Sequence, residues 1–159
     1  MRYVIPFATA TLLVAGLLAL PATAYSQHDA HAHAHDAHAG AVVAPAQQWP
    51  GDAPLREGMR KIRVAVEGLE HYEHGHMGIA QATATVALID EAIANIFANC
   101  KLEPDADMAL HGLLATFMAG AEAVRTSPQV PRAEIAQMQQ ALAQYPRLFD
   151  DPQWDAAVD

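Results

Sequence analysis

Residues 70–77, EHYEHGHM, place three histidines, two glutamates and one methionine within eight positions. These side chains ligate transition metals: imidazole suits zinc, copper, iron and nickel, and thioether selects Cu(I). On a helix, Glu70 and His74 stand at i,i+4 and Glu73 and His76 at i,i+3, so each pair can converge on one ion. The set Glu70, Glu73, His74, His76 and Met77 suits copper in either oxidation state, with zinc or nickel as alternatives. A wheel continued from Leu55 puts Glu73 at the centre of the apolar face, with Glu70, His74, His76 and Met77 within about 100° of it and His71 pointing away. A buried carboxylate without a partner costs several kcal/mol, so this reading requires a protonated histidine, an arginine from another helix or a metal ion beside Glu73. The competing reading is a hydrated helix end whose histidines sit favourably at the negative pole of the dipole.

A second set of ligands lies upstream. QHDAHAHAHDAHAG carries His28, His31, His33, His35 and His38. Flexible, alternating imidazoles can wrap Cu(II), Ni(II) or Zn(II) loosely; the plainer reading is a solubilising linker. Cys100, Met108 and His111 form a looser third group, for which core packing is the ordinary explanation. Enzyme-like readings lack ligands. A di-iron bundle needs two Glu-x-x-His motifs, and Glu73-x-x-His76 is one, while neither Glu122 nor Glu134 has a histidine three residues later. The Cys-x-x-Cys-His of a c-type haem is absent, and a b-type haem could draw only on a pair such as Met59 and His111. No histidine pairs with Ser127 and no glycine-rich phosphate loop exists, so no catalytic residue is expected.

The elements that must position these groups are helices. Arg2, an apolar run from Val4 to Leu20, Pro21 and Ala22-Thr23-Ala24 follow the order of a secretory signal peptide. Cleavage is expected after Ala24, which leaves no membrane insertion in the mature chain. Loss of Arg2 makes the formal charge of −9 one unit more negative, which disfavours nucleic acid and anionic membranes and favours cations. Residues 25–53 read as a disordered His-rich linker. Asp52 and Pro54 then signal a helix start, and Leu55, Met59, Ile62, Val66 and Leu69 mark one helical face. Gly75 and Gly78 mark a turn. Further helical runs contain Ile79, Ala82, Val86, Ile89, Ile93, Ile96, Phe97 and Cys100; then Leu110, Leu113, Leu114, Phe117, Ala121 and Val124; then Ile135, Met138, Leu142 and Tyr145, with Pro146 as a kink or an end. No stretch alternates as a strand would. The expectation is an all-α chain in which residues 54–150 form an antiparallel up-down-up-down four-helix bundle, followed by a loose polar tail over 151–159.

At YEHGHM, IFANCKLEPDAD and ALHGLLA the chain resembles the DnrO-like proteins, a small, secreted, metal-associated bacterial family, over about residues 55–150. The resemblance implies a periplasmic helical bundle linked to metal handling and no defined reaction; Glu73, His74, His76, Met77, Cys100 and His111 fall within its strings. The expected function is a periplasmic metal-binding protein, for copper above all, that buffers ions or passes them to an envelope metal transporter or chaperone. The rivals are a non-enzymatic interaction module docking on an envelope partner, and a small redox carrier with a bundle-bound cofactor.

Overall fold

A computed structural model describes residues 45–155. The signal peptide expected over residues 1–24 and the tract from His28 to His38 lie outside the described residues. Among those described, helix dominates and the all-α class holds, and no helix is long and apolar enough to cross a membrane.

Helix α1 spans Ala53–Gly68. Asp52 caps it, its carboxylate accepting the Leu55 N–H at 2.9 Å, with Pro54 in the first turn. Leu55, Met59, Ile62 and Val66 are fully buried, as their spacing predicts. The helix does not run on unbroken. It ends at Gly68, Leu69 shares its N–H between the carbonyls of Ala65 and Val66, and a single further turn, α2, covers Glu70–Glu73. Helix α3 (Ile79–Asn99) starts after Gly78, whose N–H donates to Gln81 Oε1 at 3.1 Å. Helices α4 (Pro104–Thr126) and α5 (Arg132–Leu148) follow. Pro146 lies inside the last turn of α5 without ending it.

Packing runs α1 on α3, α3 on α4, α4 on α5, with α1 also meeting α5. Two glycines permit close approach: a Cβ on Gly58 would stand 2.4 Å from Ile96 Cγ1, and one on Gly120 2.5 Å from Met138 Sδ. The core joins Phe117, Tyr145 and Phe149 to the aliphatic faces. Ile79 and Phe97, which the apolar spacing places on the core face of α3, are about half exposed.

Both segments flanking the helices depart from expectation. Trp49–Pro50 (β1) pairs in parallel with Phe149–Asp150 (β2), Trp49 against Phe149. The end of the predicted linker is therefore part of the fold. The predicted loose tail folds back over residues 151–155. Trp154 is buried against Tyr145, ring centres 4.6 Å apart, and Arg63 stacks on its indole at 4.7 Å and donates to its carbonyl. Asp151, also buried, accepts the Tyr145 hydroxyl at 3.2 Å. Large aromatic side chains packed against the core, with the Tyr145 hydroxyl bonded, account for order in segments whose composition reads as loop.

Candidate metal centre

The break at Leu69 decides what the metal-ligating string presents. The shared Leu69 N–H, and Tyr72 N–H donating to Leu69 O at 2.9 Å, tighten the chain toward a 3₁₀ turn. Such a turn advances about 20° more per residue than an α-helix. Beyond this break the inward position falls to Tyr72: Tyr72 is buried, Glu73 half-buried and Glu70 exposed. No carboxylate occupies the inward position that the unbroken wheel gives Glu73, and the need for a neutralising ion there falls away.

What the turn does assemble is imidazole. Gly75 has φ +75°, a conformation that favours glycine. Its N–H donates to Tyr72 O at 3.1 Å and the His76 N–H to His71 O at 2.8 Å. These two bonds are those of a Schellman closure, in which the side chains at the positions of His71 and His76 are brought together. Their ring centres lie 6.4 Å apart, and the ring of His74 stacks on that of His76 at 6.2 Å. His74 Nδ1 lies 2.7 Å from Glu70 O. A carbonyl only accepts, so Nδ1 is the donor here, and in a neutral ring that leaves the Nε2 lone pair for a metal, the arrangement that orients metal-binding histidines.

Two contacts fix the turn on the body. Arg132, at the start of α5, donates to Glu73 O at 2.5 Å. Met77 packs against the core, its sulfur 4.0 Å from Thr85 Oγ1, while that hydroxyl has a nearer acceptor in Gln81 O at 3.0 Å. Among the described residues, no three His, Cys, Asp or Glu side chains converge closely enough to hold an ion as they stand. His71, set aside on the wheel, is the residue that sequence reasoning missed; its signal was Gly75, the closure that folds position 71 back onto position 76.

The third group is not gathered. Cys100 donates to Asp52 Oδ1 at 3.3 Å, and burial, then the Asp52 carboxylate, push its thiol up to about 12. Met108 is 73% exposed. His111 Nδ1 donates to Asp107 O at 2.8 Å and its ring tilts on Phe97 at 5.4 Å. Met59 is fully buried whereas His111 is exposed, so the two do not face one another as axial ligands would. Asp90 pairs with Arg125.

Comparison with known proteins found no matching family model, no similar curated protein and no similar solved structure.

Proposed function

We propose that this chain is a periplasmic metal-binding protein, for copper above all and with zinc or nickel as alternatives, that buffers ions or passes them on without turnover. The observation that carries this reading is the gathering of three imidazoles at the Gly75 turn, with His74 already held in a ligating tautomer by Glu70 O. In this reading a signal peptide exports the chain, the tract of His28, His31, His33, His35 and His38 captures ions, and the α2 turn holds one. The four long helices form an antiparallel up-down-up-down bundle, the likeness to the DnrO-like family is one of descent, and the recipient is an envelope metal transporter or chaperone.

Competition titration of the full chain with Cu(I), Cu(II) and Zn(II) tests the proposal. More than one ion should bind to the unaltered chain, and a single ion once the five tract histidines are alanine. Uptake no greater than a weak chelator control, in both proteins, would sink it.

One observation favours a second reading as an interaction module. A groove of about 600 Å³ between α1 and α3 is lined by Val64, Ala65, Leu88 and Ala92 and rimmed by Glu57, Lys61 and Glu91, with Val64 and Leu88 about half exposed. That reading predicts no tight metal retention after chelator dialysis, so the titration separates the two.

A further inference from the structure

We infer that His71 completes an all-imidazole site with His74 and His76, and that Glu73 and Met77 are not ligands at the turn. This rests on the metal-binding reading and specifies which ions the turn takes. The geometry centres on His76, with one neighbouring ring at 6.4 Å and the other at 6.2 Å. A metal–nitrogen bond of about 2.0–2.1 Å puts each ring centre about 3.2 Å from the ion, so two imidazoles at a tetrahedral angle have centres about 5 Å apart. Each of these two pairs therefore closes by about 1 Å on His76. Exposed imidazoles can do this by rotation about their side-chain bonds, with the Schellman closure intact. Glu70 O holds His74 Nδ1 and leaves Nε2 as its donor.

Two other candidates are less free to move than the three exposed rings. Met77 lies against the core beside Thr85. Glu73 is half-buried, on a peptide whose carbonyl is taken by Arg132. Three neutral imidazoles without sulfur form a borderline donor set. It suits Cu(II), Zn(II) and Ni(II) and lacks the soft ligand that selects Cu(I). A fourth position stays open to water or to a group from the recipient, as in three-ligand zinc sites.

The test uses the full chain with its five tract histidines replaced by alanine, titrated with Cu(II), Zn(II) and Cu(I) at about pH 7.5. Circular dichroism confirms that each variant is folded. One equivalent of Cu(II) or Zn(II) should bind. Replacing only an outer-shell partner costs 10–100-fold in affinity, so His71→Ala, like His74→Ala and His76→Ala, should weaken binding by about 100-fold or more. Glu73→Gln and Met77→Leu should leave it within about threefold, and the Cu(II) spectrum should report nitrogen donors alone. If Glu73→Gln or Met77→Leu abolishes binding while His71→Ala does not, the ligand set is wrong and the metal-binding reading stands. If the tract-free chain binds nothing, the turn site is overturned, and uptake by the unaltered chain decides whether the broader reading survives on the tract.

Discussion

Asp52 shows how much one side chain can organise. Its carboxylate accepts the Leu55 N–H at 2.9 Å, the Lys101 N–H at 2.7 Å and the Cys100 thiol at 3.3 Å, so it caps α1 and ties that cap to the end of α3. Burial by itself raises its carboxyl, but the Lys101 and Leu55 N–H groups, the Cys100 thiol and Arg56 outweigh burial and hold it below the ordinary carboxylate range. A carboxyl depressed in the folded state contributes stability above its unfolded value, 3.8, and that contribution is lost as pH falls through the folded value. Asp52→Ala removes the cap and strands the Lys101 N–H; it should cost roughly 2–3 kcal/mol at neutral pH in a urea titration. The difference from the unaltered chain should shrink on acidification below the unfolded value. Asp52→Asn should keep part of the cap yet hasten alkylation of Cys100, because the carboxylate contributes to holding the thiol up near 12. An unchanged alkylation rate would mean that burial alone protects the thiol. The cap was legible from Asp52 and Pro54. The two donors from beyond α3 were not, since sequence distance hides them.

At the scale of elements, glycines separate packing from propensity. Gly58→Ala gains up to about 1 kcal/mol of helix propensity. Its Cβ would meet Ile96 at 2.4 Å, and Ile96 is buried, so an overpacking cost of about 1–3 kcal/mol should dominate. Gly68→Ala, whose nearest neighbour would be Thr85 Cγ2 at 3.8 Å, should keep the propensity gain and stabilise by up to about 1 kcal/mol. Urea midpoints moving in opposite directions at constant slope would check both; a rise for Gly58→Ala would mean that α1 and α3 can part at no cost. The long helices were legible because Leu55, Met59, Ile62 and Val66, and Ile135, Met138, Leu142 and Tyr145, repeat the helical spacing over several turns. The break at Leu69 was not. It is a change of hydrogen-bond partner that leaves no residue signature, and it exchanged Glu73 for Tyr72 on the inward face. The Gly75 turn was foreseen, but its gathering of His71 with His76 was missed, because a wheel has no place for a chain that folds back on itself.

The ends of the described chain meet: Trp49 packs at a tilt against Phe149, and Trp154 lies beside Tyr145 and Arg63. Trp154→Ala should therefore cost about 3–5 kcal/mol, and a tail that is loose in solution would show itself by a loss of less than about 0.5 kcal/mol. The same cooperativity gives a way to tell the two histidine groups apart. An ion bound only by the folded chain stabilises it by RT ln(1 + [L]/Kd), about 2.7 kcal/mol at a hundredfold excess over Kd. For a domain of this size that is roughly 10 °C in Tm. The proposed turn site needs the Gly75 closure and so belongs to the folded chain, whereas the proposed capture of ions by the tract needs no fold and would shift nothing if folded and unfolded chain bind alike. Zn(II) should thus raise Tm equally with the tract intact or with its five histidines replaced, and should not raise it in His76→Ala. The shift should shrink from pH 7.5 toward about pH 5, because only neutral imidazole is a ligand and protons compete for it. A shift that vanishes with the tract and survives His76→Ala would place the ion on the tract and leave the α2 turn as a hydrated helix end.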